Sequence, residues 1–405
     1  MSNARFFGVK RALTLLSLPV FAACSSAQET ASADTLPLMP SPGTNTDSGS
    51  TQDGGVDGET PETPDNPDAS PGDPETPDAE APDSSTPTEP SKPVPWRGIN
   101  LSVAEWGIGV FPGTLGKEYT WPTAANVDYY MSKGMNTFRI PFAWERLQPK
   151  ANGAFDAKYA EGLDTIVNYA VSKGANVIID PHNYARYYGG VVGSTSVPNS
   201  VFADLWTRLA TKYASNPHIF FNLVNEPHDI QTEQWASAAN AAIAAIRATG
   251  ANNVIMVPGN QYTGAWAWTS GDIYGTSNAV ALLNIVDPLN NVVFEAHQYL
   301  DGNSSGTSSS CVSTTIGSER LAGWIKWLRD NGKKGFLGEF AGGNNATCNA
   351  AVTDMLNTMM SASDVIMGFT WWAGGPWWGN YMFALDPSNG QDKPQMSILS
   401  PFLRQ

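Results

Sequence analysis

The chain has 405 residues and a formal net charge of −15, from 38 acidic and 23 basic side chains. That length suits one large α/β barrel or more than one ordinary domain, and the negative balance leaves no electrostatic footprint for nucleic acid. The charge is unevenly spread: residues 1–27 carry +3, residues 28–95 carry −14 and residues 96–405 carry −4.

The first segment reads as an export signal. Arg5, Lys10 and Arg11 form a basic start, and residues 12–23 form an apolar run too short to span a bilayer. The run ends Phe21-Ala22-Ala23-Cys24. This resembles a bacterial lipobox, with Phe21 where leucine is usual, and makes Cys24 a lipidation site. The other reading is ordinary cleavage after Ala27, which discards Cys24. Ser25 follows the cysteine, and nothing there points to retention at an inner membrane. Residues 1–24 are thus the signal segment. Residues 25–95 are an acidic, proline-rich linker, and residues 28–95 hold 14 of the chain's 29 prolines. Little in that stretch is apolar enough to offset the entropy of ordering, so it is expected to be disordered and extended. Two cysteines remain, Cys311 and Cys348. In an exported domain an even pair reads as a disulfide, the alternative being two buried thiols.

From Trp96 onward short apolar runs alternate with helical patterns. Strands are expected over 98–101, 137–141, 176–180, 219–222, 254–257, 292–296, 335–338 and 365–370. Clear helices are expected over 201–213, 232–249, 317–331 and 350–363. Eight strands with helical crossovers in 310 residues (96–405) fit an α/β fold of the (β/α)8 TIM-barrel type. A doubly wound open sheet would also satisfy the alternation, but no glycine-rich nucleotide loop follows the first strand.

Catalytic groups of such barrels project from the C-terminal ends of the strands. Here the second strand carries Arg139, the third ends Asp180-Pro181-His182-Asn183-Tyr184, and the fourth ends Asn225-Glu226-Pro227. The sixth ends His297-Gln298-Tyr299, the seventh Gly338-Glu339-Phe340, and the eighth Trp371-Trp372. These groups are costly to bury without partners. Glu226 and Glu339 stand across the barrel mouth from each other. Two carboxyls about 5–5.5 Å apart are what retaining glycoside hydrolysis requires.

The motifs Arg-Gly-Ile-Asn (97–100), Phe-Arg-Ile-Pro (138–141), Asp-Pro-His-Asn-Tyr (180–184), Asn-Glu-Pro (225–227), His-Gln-Tyr (297–299) and Gly-Glu-Phe (338–340), with Trp372, resemble glycoside hydrolase family 5. The resemblance is greatest to its fungal-type endo-β-1,4-glucanases and covers essentially all of 96–405. It implies Glu226 as acid/base and Glu339 as nucleophile. It also implies Arg139 hydrogen-bonded to the nucleophile and Asn225 on the sugar 2-OH. His182, His297 and Tyr299 line the −1 subsite over a Trp372 floor. A permanent cation at Arg139 would keep the nucleophile ionised. The function implied is endo-acting hydrolysis of β-1,4-glucan with retained configuration. A β-mannanase, a xyloglucanase or a non-catalytic glucan-binding protein are the competing readings.

The chain has 14 tryptophans, whose flat rings suit sugar faces. Trp106, Trp266, Trp268, Trp371, Trp372, Trp377 and Trp378 follow strand ends or fall in mouth-side loops, whereas Trp206, Trp235, Trp324 and Trp327 sit in helical patterns and read as core. A further subsite is open between Trp268 and Trp377, with Asn100 also a possible contact. No His/Cys/Asp cluster has metal-ligand spacing, so neither metal nor cofactor is expected. A monomer on the cell surface or in the extracellular space, acting on a polysaccharide, is the resulting picture.

Overall fold

Eight parallel strands close into one barrel: β1 Trp96–Leu101, β2 Thr137–Phe142, β3 Asn176–Pro181, β4 Ile219–Asn222, β5 Ile255–Pro258, β6 Val292–His297, β7 Gly335–Phe340 and β8 Ile366–Gly374. Each pairs with its neighbours in chain order, and β8 closes on β1. The computed structural model describes residues 93–271 and 274–403. The signal segment, Cys24 and nearly all of the linker expected from the sequence lie outside the described residues.

The strands are buried on both faces, because helices cover them outside and side chains fill them inside. Seven helices of nine residues or more surround the barrel among the described residues: α1 Ala124–Ser132, α2 Ala157–Ser172, α3 Asn199–Tyr213, α4 Thr232–Ala248, α5 Ile316–Asp330, α6 Ala346–Ser361 and α7 Gln395–Leu403. The two N-terminal helices not singled out in the sequence, α1 and α2, are capped by the side chains of Thr123 and Asp156, a start signal that lies outside the apolar periodicity. Between β5 and β6 the described residues form no long helix, only the short turns Ala265–Ala267, Asn278–Ala281 and Leu282–Asn284. Trp206 and Trp235 pack from α3 and α4 and donate their indole N–H groups to the carbonyls of Leu223, 3.1 Å, and Pro258, 2.7 Å. Both are fully buried, so these two are core and not subsite.

The barrel interior is layered. At the N-terminal end Ile178, Phe220, Met256, Val293 and Phe336 form a separate apolar cluster, capped by Trp96 with its ring 4.6 Å from Phe220. Two residues further along, the same inward-facing positions carry Asp180, Asn222 and Glu295. Two residues beyond that come His182 and His297. Strand periodicity of two therefore turns an apolar floor into a polar layer and then into the mouth of the site.

Candidate active site

Arg139 sits at the centre of the polar layer with no exposed surface. Its Nη1 donates to Glu339 Oε1 at 3.0 Å and to Asn100 Oδ1 at 2.9 Å, and its Nη2 donates to Asn225 Oδ1 at 2.7 Å. The same guanidinium lies 3.1 Å from Asp180 and 3.2 Å from Glu295. Burial opposes its charge, but Asp180, Glu295, Glu339 and Glu226 outweigh that and raise its pKa further. Removing one member of such a buried network leaves uncompensated charge and costs about 3–5 kcal/mol. Gly338 fits here because any Cβ would run into the Glu295 carboxylate.

Glu339, at the end of β7, accepts from Arg139 on one oxygen and from the Tyr299 hydroxyl on the other, at 2.8 Å. Glu226 follows β4 in the left-handed region, φ +40°, an uncommon conformation for a residue with a side chain. Its Oε1 meets His297 Nδ1 at 2.7 Å. Oxygens of both carboxylates and a ring nitrogen of His297 lie within 4.8 Å of one another. The two glutamates differ in setting. Glu339 is clamped by donors, whereas Glu226 is held above the ordinary glutamate pKa by burial, with the Glu339 charge adding to the rise and the His297 bond opposing it. His297 itself is pushed up to about 10: burial opposes its charge, but Glu339 and the contacts to Glu226 and Glu295 outweigh it.

His182 has Nδ1 2.9 Å from Asp180. Burial would lower its pKa, and the Asp180 bond carries it above the usual histidine value. Its ring lies parallel to Trp372, 5.6 Å between centroids at 19°. Asn225 spends its oxygen on Arg139 and leaves its buried amide nitrogen without a protein partner, a donor available to a ligand hydroxyl.

Arg139, His182, Asn225, Glu226, His297, Tyr299, Glu339 and Trp372 therefore assemble at one end of the barrel. Two expected contacts do not. Trp268 is fully buried against Trp324 and Trp327, ring centroids 6.2 and 5.4 Å away. It is core, because the short turn before it faces Trp266 outward, 52 % exposed, and folds Trp268 inward. Asn100 is also fully buried, and its amide donates to the carbonyls of Gly338 and Trp371 at 2.9 and 3.2 Å while its oxygen accepts from Arg139. It holds the arginine from behind and has no group left for a sugar. Trp377 is 44 % exposed, 6.4 Å from the Trp106 ring. Asp180 and Glu295 went unassigned in the sequence reading. The signal was present as Asp-x-His (180–182) and Glu-x-His (295–297), the period-two spacing that puts both members of each pair on the inward face.

A closed (β/α)8 barrel with two facing glutamates on β4 and β7, one clamped by an arginine, defines a glycoside hydrolase of the retaining type. The family model for cellulase, glycosyl hydrolase family 5, matches residues 88–375. Endoglucanase 3 of Humicola insolens is 46% identical over 297 residues, 73% of this chain and 74% of that protein. Endo-beta-1,4-glucanase A of Emericella nidulans is 44% identical over 310 residues, 76% of this chain and 92% of that protein. The crystal structure of the endo-beta-1,4-glucanase Xac0029 from Xanthomonas axonopodis pv. citri superposes with a TM-score of 0.75 at 51% identity, covering 77% of this chain and 99% of that one. The chain belongs to glycoside hydrolase family 5.

Proposed function

We propose that the protein is an endo-β-1,4-glucanase that works by double displacement. The observation that carries the reading is the pair of carboxylates just after β4 and at the end of β7, one oxygen of each within 4.8 Å of the other, which fits the close approach of retaining enzymes better than the wider gap of inverting ones. Glu339 is the nucleophile. Arg139 and Tyr299 hold it by hydrogen bonds to its two oxygens, and it attacks the anomeric carbon of the sugar in the −1 subsite. Glu226 is the acid/base. It protonates the leaving oxygen, then takes a proton from the water that releases the glycosyl-enzyme. Burial and the neighbouring Glu339 charge favour the protonated form that the first step needs.

His297 orients Glu226, Asn225 meets the 2-OH, and Trp372 with His182 forms the floor under the −1 sugar. Trp377 is the further subsite residue. The arrangement requires no metal or cofactor. Relatives named as endoglucanases support glucan over mannan or xyloglucan as substrate, and intact catalytic groups argue against a purely binding role. The protein acts as a monomer that is exported and held at a cell surface by lipid on Cys24. NMR of the first product from a cello-oligosaccharide is expected to show the β anomer, with carboxymethylcellulose cut faster than glucomannan or xyloglucan. An α anomer rules out the double displacement, and a faster rate on glucomannan makes the enzyme a mannanase.

A further inference from the structure

Eleven large apolar side chains are exposed among the described residues, and five of them lie in three loops at the catalytic end of the barrel. Ile108, Val110 and Leu115, at 59, 51 and 59 % exposure, belong to the loop between β1 and α1. Tyr188, at 50 %, follows β3, and Trp377 follows β8. Monomeric proteins seldom leave such groups together in water without a use. Residues 106–116, Trp-Gly-Ile-Gly-Val-Phe-Pro-Gly-Thr-Leu-Gly, contain no charged side chain.

The loop is held firmly from beneath. Arg146 is 1 % exposed and donates to the carbonyls of Ala104 and Pro112 at 3.0 Å and of Gly107 at 2.9 Å. Its guanidinium lies 4.6 Å from the Tyr119 ring and 5.7 Å from that of Phe111. Phe111 in turn meets Tyr188 edge-on at 5.3 Å. A surface fixed in this way loses little entropy on binding. It is also continuous with the site. Trp106, which opens the loop, stands 4.9 Å from Trp378, and Trp378 stands 5.8 Å from the Trp372 floor.

Resting on the glucanase reading, we propose that residues 106–116 with Tyr188 form a docking surface for the face of an insoluble β-glucan, beside the groove that holds the chain being cut. The occupant follows from the chemistry. A packed glucan offers flat, uncharged, apolar sugar faces, which match a rigid uncharged ridge joined to the cleft. A bilayer surface is the other apolar target, but peripheral membrane contacts gain from exposed basic side chains. Residues 106–116 have none: Arg146 beneath them is buried and committed to carbonyls, and the exposed Lys117 that follows is paired with Glu118 at 2.8 Å.

The test compares the full chain with the Ile108→Asp/Val110→Asp double variant, and with Ile108→Ser/Val110→Ser in case the charges disturb folding. Depletion from solution by microcrystalline cellulose is expected to weaken about fivefold or more, while kcat/KM on a soluble aryl cellobioside stays within about twofold. Unchanged depletion by cellulose in both variants overturns the proposal. So does a loss confined to phosphatidylethanolamine/phosphatidylglycerol vesicles with cellulose binding intact, which makes the loop a membrane contact. The soluble substrate reads the glucanase assignment and the depletion reads the docking surface, so the two fail separately.

Discussion

In the proposed mechanism Glu226 and Glu339 are the same residue type given two tasks by their neighbours. Glu339 accepts from a buried cation and a phenol, which suits a nucleophile that must stay ionised. Replacing it as Glu339→Gln keeps the size and one acceptor, which can still face Arg139, but turns the other position into a donor toward the Tyr299 hydroxyl and removes the attacking charge. Turnover of an aryl cellobioside is expected to fall by at least about a thousandfold, about 4 kcal/mol of barrier, while the protein still folds with a lowered thermal midpoint, since Asp180 and Glu295 continue to pair with Arg139. A loss of tenfold or less places the nucleophile elsewhere. Glu226 has its pKa raised, by burial first and by Glu339 second. As the acid it must enter the reaction protonated, so activity persists above the usual carboxylate range and falls as pH rises through the raised value. The alkaline limb of kcat/KM is therefore expected above about 4.3, the ordinary glutamate value. A limb at that ordinary value contradicts the role. Both glutamates were legible in the sequence because each ends an apolar strand. Asn100 and Trp268 misled for a matching reason: a strand-end or loop position places a residue near the mouth without saying which way its side chain turns.

At the scale of elements, the strands were readable and the ends of several were not. β8 runs on to Gly374, beyond the 365–370 expected, because Trp371 pairs with Ile99 of β1 and Phe340 of β7, and Gly374 pairs with Leu101 of β1 across a register shift. Helix α6 begins at Ala346, not 350, because Asn345 caps it by accepting from the Cys348 N–H at 2.9 Å. Cys348 therefore lies in the first turn of a helix and not in a loop, and its disulfide to Cys311 ties that turn to the loop after β6. The same loop begins near Tyr299, whose carbonyl is held by Arg320 at 2.7 Å, and whose hydroxyl reaches Glu339. The bridge closes a separation of 37 residues. A loop of that length is worth about 4 kcal/mol in the chain-entropy model. Cys311→Ser/Cys348→Ser is expected to lower the thermal midpoint by on the order of 10 °C. It should also lower kcat more than a remote destabilisation of equal size, because Tyr299 loses a fixed base. A midpoint within 1 °C of wild type, to within roughly the error of such a measurement, means that the bridge carries no stability.

For the whole molecule, the charge distribution separates two physical regimes. Residues 96–405 are nearly neutral, while 28–95 hold 15 acids against the single base Lys92. Were these 68 residues extended, as their proline and like-charge content favours, they would reach on the order of 200 Å at about 3.1 Å per residue. That reach serves an enzyme fixed at one end and working on a polymer it cannot take in. It serves a freely diffusing enzyme much less. The anchor proposed for that end is lipid on Cys24, after the basic start and the short apolar run. One myristoyl-sized chain binds a membrane only marginally, so the multiple acyl chains of a bacterial lipoprotein are the chemistry required. Cys24→Ser is expected to release processed enzyme into the medium or to block its processing, with kcat/KM on a soluble cellobioside unchanged. Fractionation of the wild type is expected to place activity with the membrane, and mass spectrometry of the mature N-terminus should find a lipid-modified Cys24. Wild-type protein recovered wholly in the culture fluid with Gln28 at its N-terminus would instead mean that ordinary cleavage removes Cys24. The acidic segment would then serve a freely diffusing enzyme, as a solubilising extension.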